Sequence, residues 1–147
     1  MLGLMQNYPL LVQTILDHAA LNHGEREMVT RSIEGPIRRY TYRDMRTRAL
    51  RVAKALQKEG VVLGDRIATM AWNTDRHVEV WYGVMGLGAI SHTVNPRLFV
   101  EQLVYIMNHA EDKMLFADLT FVPLVEAIAG KLPTIKKYII MTDEAHM

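Results

Sequence analysis

Residues 64–94, GDRIATMAWNTDRHVEVWYGVMGLGAISHTV, decide the fold. Gly64-Asp65 turns the chain into a strand over 66–72 that is apolar on both faces, the pattern of a strand covered from two sides. Asn73-Thr74-Asp75 follows, with short polar side chains that cap helices, and the spacing predicts a helix over 75–87. Gly83, Gly86 and Gly88 let that helix pack close to the sheet and stop it. A second short apolar strand is expected over 89–94. Strand, helix and strand in this order imply parallel pairing with a right-handed crossover.

The rhythm continues downstream. The corner His92-Thr-Val-Asn-Pro-Arg-Leu-Phe99 leads to a helix over 100–109, a strand over 113–118, a helix over 122–131 and a strand over 137–142. Upstream, a helix over 43–58 buries Met45, Ala49, Val52, Ala53 and Leu56. Thr41 is its N-cap, Asp44 stands three positions on, and Gly60 ends it. Strands over 28–33 and 37–42 meet at the turn Glu34-Gly35-Pro36. A first helix over 10–22 starts at Pro9, with a stripe of Leu11, Ile15 and Ala19 beside Val12 and Leu16, and stops at Gly24. The expected fold is α/β: a mostly parallel sheet flanked by helices, preceded by an N-terminal helix and a β-hairpin. No internal repeat, low-complexity segment or linker divides residues 1–147.

Composition narrows the function. Half of the 147 residues are hydrophobic and 22% are charged, as in a globular domain. The net charge of +1 points to no nucleic-acid partner. With no cysteine there is neither a disulfide framework nor thiolate chemistry, which fits a reducing compartment, and the cytoplasm is the expected location. The apolar N-terminus lacks a basic leader region, and Asp17 and His18 interrupt it, so neither a signal peptide nor a transmembrane segment is expected.

Local chemistry is sparse. No Gly-x-x-x-x-Gly-Lys-Ser/Thr occurs. Gly86-Leu-Gly88 is followed by Ser91 where a dinucleotide fingerprint needs glycine, and it follows a helix instead of a strand. No histidine pair has the i, i+4 spacing of a helical metal site. His109, Glu111 and Asp112 resemble a ligand cluster, but a histidine in a last helical turn followed by an exposed acidic turn accounts for them. Arg43, Arg46, Arg48, Arg51, Lys54 and Lys58 line one helix, and without interleaved aromatics they read as a solvated face. The carboxylate pairs Glu111-Asp112 and Asp143-Glu144 are adjacent in sequence, expected to be exposed, and do not converge as a catalytic pair must. There is no Gly-x-Ser-x-Gly elbow. No catalytic, cofactor-binding or metal residue is assigned.

Five stretches in register are more informative. Tyr40-Thr-Tyr-Arg-Asp-Met45, Gly64 through Asn73, Arg76-His-Val-Glu-Val80, His92 through Phe99 and Asn108-His-Ala-Glu-Asp-Lys113 resemble the N-terminal quarter of the adenylate-forming enzymes. The similarity is strongest to fatty-acid–CoA ligases (acyl-CoA synthetases) of the medium- and long-chain branch, whose opening Met-Leu-Gly is also found here. It implies a partial N-terminal AMP-binding domain. It also implies a reaction in which ATP and a fatty acid give an acyl-adenylate, and CoA then displaces AMP. Magnesium, ATP and CoA are implied for the complete enzyme, and none is expected on these residues. The family's phosphate loop, its downstream Thr-Glu motif, its ribose-binding aspartate and its C-terminal lysine have no counterpart within 1–147. The expectation is therefore an inactive N-terminal piece that self-associates, with residues 1–11 a candidate contact between copies. A stand-alone, non-catalytic interaction or ligand-binding module is the alternative.

The corner 92–99 reads as structural. Pro96 keeps Asn95 extended, Asn95 bonds its own backbone, Arg97 pairs with an acidic neighbour, and Leu98 and Phe99 anchor the turn. Where many relatives have a Ser/Thr cap and a Glu, this chain has Phe99 and Gln102. The loss of about 1 kcal/mol of capping is expected to be offset by burying the Phe99 ring in the complete enzyme.

Overall fold

The computed structural model describes residues 3–147. Met1 and Leu2, which begin both the Met-Leu-Gly opening and the candidate contact segment 1–11, lie outside the described residues. The elements are α1 (Gln13–Asn22), β1 (Glu27–Arg31), β2 (Ile37–Thr41), α2 (Tyr42–Lys58), β3 (Arg66–Met70), α3 (Asp75–Gly86), β4 (Ile90–Thr93), α4 (Val100–Ala110), β5 (Met114–Asp118), α5 (Val122–Ala129) and β6 (Lys137–Met141). Short 3-10 turns cover Leu119–Phe121 and Glu144–His146.

β3, β4, β5 and β6 form one parallel sheet in the order β4-β3-β5-β6, and β1 and β2 form a separate antiparallel hairpin. Alternation along the central strands sorts side chains onto two faces. Ile67, Met114 and Phe116 pack with Leu56 of α2 and Val80 and Val84 of α3. Ala68, Met70, Leu115 and Ala117 pack with Leu103 and Met107 of α4 and Val125 and Ile128 of α5. The sheet is thus the middle of three layers.

Local signals place most element ends. The capping box of α2 forms as expected: Asp44 N–H donates to Thr41 Oγ1 at 3.2 Å, and Thr41 N–H donates to Asp44 Oδ2 at 3.0 Å. Such a cap contributes about 1 kcal/mol. Gly60 takes φ 82° just beyond the helix, a conformation costly for other residues. β3 stops at Met70 rather than residue 72, because the Trp72 N–H leaves the ladder to donate to the Asp118 carboxylate at 2.7 Å.

Three packing expectations are corrected. α1 starts at Gln13, because Leu11 N–H closes a turn onto Pro9 C=O at 3.0 Å. It buries Leu16 against Met45 and Ala49 and also buries Ala20, while Ile15 and Leu11 remain exposed. A helix covered mainly by one neighbour hides only a narrow stripe. Gly83 approaches α2 rather than the sheet: a methyl at that position would come within 2.7 Å of Val52 Cγ1. Gly24 is required by proximity and not by a left-handed turn, since a methyl there would sit 2.5 Å from Ala20 C=O.

The hairpin is fastened to the sheet by Glu34, whose side chain is 1% exposed although it lies in the turn. Its Oε1 accepts from Arg76 Nη1 at 2.7 Å, Thr142 Oγ1 at 3.1 Å and Asp143 N–H at 3.2 Å. Burial alone would raise this carboxyl, but the bonds from Arg76 and Thr142 and the Arg76 charge win and hold it at about 2. Because the folded value lies below the ordinary 4.5, Glu34 contributes its full stability above 4.5 and loses it as pH falls from 4.5 towards about 2. Urea unfolding across this range is expected to show wild type losing stability relative to Glu34→Gln as pH falls. A constant difference between the two would contradict this.

Candidate functional site

In an open parallel sheet, ligands gather outside the carboxyl ends of the strands where the strand order reverses. Here that point lies between β3 and β5, because the chain crosses from β3 to β4 on one side and then to β5 on the other. The protein's own groups fill it. Asp118, fully buried at the end of β5, accepts the Trp72 N–H, and the Trp72 ring packs on Phe121 with centroids 5.2 Å apart. His77 holds the other side of the same loop. Its Nδ1 lies 3.2 Å from Trp72 C=O, and its Nε2 lies 2.9 Å from Thr69 Oγ1. A carbonyl can only accept, so Nδ1 carries the proton and Nε2 accepts from the threonine hydroxyl. Burial lowers the His77 pKa, which favours this neutral form. Burial pushes the Asp118 carboxyl up, opposed by the Trp72 N–H.

Two openings flank this plug. A cleft of about 230 Å³ lies between the loop after β3 and the corner after β4, framed by Trp72, Asn73, Asn95, Pro96 and Arg97. A groove of about 420 Å³ runs between the hairpin and α3, with Met28, Tyr40, His77, Val78 and Trp81 among its lining residues. The corner is built largely as expected: Arg97 N–H donates to Asn95 Oδ1 at 3.0 Å, and Leu98 packs onto the core. One expectation fails there: Arg97 forms no ion pair among the described residues. Phe99, whose burial is expected in the complete enzyme, is 76% exposed on this chain. Phe99 has no side-chain acceptor, so the start of α4 keeps half a capping box: Phe99 N–H donates to Gln102 Oε1 at 3.2 Å.

The residues here do not fit a triphosphate. The first turn of α3 carries Asp75, buried and paired with Arg38 at 2.8 Å, and its His77 N–H is directed to Thr74 Oγ1. The first turn of α4 carries Glu101. Negative side chains at both helix starts oppose an anion. Among the described residues no three His, Asp or Glu side chains converge on a metal position. The basic face of α2 is partly neutralised, with Arg43 on Glu25 at 2.6 Å, Arg46 on Asp17 at 2.5 Å and Arg48 on buried Glu79.

Asp112 corrects the sequence reading most clearly. Expected to be exposed with Glu111, it is fully buried, and its Oδ2 lies 2.7 Å from His92 Nδ1. Glu111 closes α4 at φ 53° and turns the chain inward, while its own carboxylate stays outside on Arg66 at 2.8 Å. The Asp112 bond raises the His92 pKa against the opposing effect of burial. His109 remains in the last turn, as expected, stacked on Tyr105. Sequence reasoning also missed Glu34 and Asp118. An aspartate closing an apolar strand was a readable signal for Asp118; Glu34, in a Glu-Gly-Pro turn, offered none.

Residues 16–146 match the AMP-binding enzyme family. The chain is 47% identical over 141 residues to a 3-methylmercaptopropionyl-CoA ligase of Ruegeria lacuscaerulensis, and 45% identical over 141 residues to a medium-chain-fatty-acid–CoA ligase of Ectopseudomonas oleovorans. Each alignment covers 96% of this chain and 26% of the relative, so the chain spans about a quarter of the length of these curated relatives. The solved anthranilate CoA ligase AuaEII with bound anthranoyl-AMP superposes with a TM-score of 0.81 at 24% identity, over 93% of this chain and 27% of that one. At that identity the likeness establishes a shared fold. With the family match extending through the hairpin, every strand of the parallel sheet and both helical layers, this chain belongs to the AMP-binding enzymes.

Proposed function

We propose that these residues are the N-terminal part of the adenylation domain of an ATP-dependent acyl-CoA ligase that activates an aliphatic carboxylic acid. The observation that carries this reading is 45–47% identity across nearly the whole chain to two acyl-CoA ligases of which it spans 26%. A carboxylate is a poor electrophile, and adenylation gives it a leaving group that the CoA thiol can displace. ATP, magnesium and CoA would be held by chain beyond these residues, because neither helix start here suits phosphate. On this reading the chain supplies a packed platform and no catalytic residue. The platform carries no helix long and apolar enough to cross a membrane among the described residues, and we place the complete protein in the cytoplasm. The two relatives act on different acids at nearly equal identity, so acid selectivity is assigned to the later segments.

ATP–pyrophosphate exchange tests the reading. The protein encoded by the complete reading frame is expected to exchange in the presence of octanoate or 3-methylmercaptopropionate, and the 147-residue chain to show no exchange above a protein-free control. Octanoate-dependent exchange by the short chain would overturn the assignment of catalysis to later segments. An inactive complete protein would favour the non-catalytic module.

The surface supports self-association. Leu4, Met5, Leu10, Ile15, Leu21 and Leu63 are all more than half exposed, and β4 and β6 have open edges. Sedimentation velocity on the 147-residue chain is expected to show average mass rising with concentration. A monomer at every concentration would contradict this.

A further inference from the structure

We propose, resting on the ligase reading above, that Glu34 is a positioning residue: it fixes the direction of the chain leaving β6 at the carboxyl edge of the sheet. Three observations converge on it. First, the hairpin turn does not need a glutamate, since Gly35 at φ 113° supplies the unusual backbone conformation. Second, the side chain is turned inward and buried, and one oxygen gathers donors from segments 42 and 108 residues away. Third, two of those donors, Thr142 Oγ1 and Asp143 N–H, lie immediately past Met141, the last residue of β6.

A buried ion pair is weak evidence of stabilisation, because a well-packed apolar pair of similar volume is often as stable. What an apolar pair cannot supply is a directional acceptor for Thr142 and Asp143. Arg76 keeps Glu34 ionised throughout the neutral range, so the acceptor is always present. Arg76 belongs to the first turn of α3, directly after the loop that fills the β3–β5 reversal. One carboxylate therefore ties the hairpin, the start of α3 and the β6 exit into a single rigid edge. Ligands of α/β sheets lie along this edge, and a displacement of about 1 Å at a reacting group costs on the order of a hundredfold in rate.

Two double variants of the complete ligase separate positioning from packing. Glu34→Gln with Arg76→Met removes both charges but keeps an acceptor for Thr142 and Asp143. Glu34→Leu with Arg76→Met removes both charges and the acceptor. In ATP–pyrophosphate exchange with octanoate, the Gln/Met form is expected to keep kcat near that of the unaltered protein. The Leu/Met form is expected to lose about tenfold or more in kcat, with KM for octanoate and Tm nearly unchanged. Unaltered kcat in the Leu/Met form overturns the proposal, as does parallel loss of kcat and Tm in both forms. Should the unaltered complete protein exchange with no carboxylic acid, the ligase reading falls, and amide exchange at Asp143 decides for Glu34. Faster exchange in the Leu/Met than in the Gln/Met form supports the fixed exit, and equal protection overturns it.

Discussion

Burial of the central strands on both faces is the constraint on which the rest of this structure depends. All of β5, Met114–Asp118, is buried, and β3 is buried from Ile67 through Met70. Side chains alternate along a strand, so such segments need a layer on each side. Right-handed crossovers then fix where the helices go. The step from β3 to β4 and the step from β4 to β5 run in opposite directions across the sheet, which places α3 and α4 on opposite faces. The step from β5 to β6 continues in the second direction, and α5 joins α4. Fully burying a side chain such as Ile67, Met70 or Leu115 contributes roughly 1.5–3 kcal/mol each.

Among the described residues charge enters this interior at strand ends, in a turn and, with Glu79, in the body of α3, and there it does mechanical work. Asp118 holds the loop after β3, Asp112 holds edge strand β4 through His92, and Asp75 and Glu79 tie α3 to Arg38 of β2 and Arg48 of α2. Removing one partner of such a contact leaves the other buried and unpaired, which costs far more than the intact contact contributes. The result is an edge whose loops are held by side chains from several elements at once. On the reading proposed above, a rigid edge is what these residues supply.

Element order and type were legible because they rest on local signals. The Thr41–Asp44 box, the turn around Gly35, the glycine at 60 and the apolar runs of β3 and β5 each carry their own cause. What was not legible depends on neighbours distant in sequence. Which face of α1 is covered is set by α2, since Leu16 and Ile15 are equally apolar in sequence. Gly83 is small because Val52 is close, and no pattern within α3 says so. Asp112 is drawn inside by a left-handed residue that is not glycine, and Glu34 is drawn inside by an arginine 42 residues away. Phe99 remains exposed at the start of α4, so its ring does not offset the missing side-chain acceptor here, and only the Gln102 half of the capping box is kept.

Native-state amide hydrogen exchange tests the central claim most directly. If two-sided burial of β3 and β5 organises the fold, their amides should exchange slowest and only through global unfolding, while those of β1 and β2 open earlier through local fluctuations. Exchange of β3 and β5 amides as fast as that of the hairpin would contradict the account.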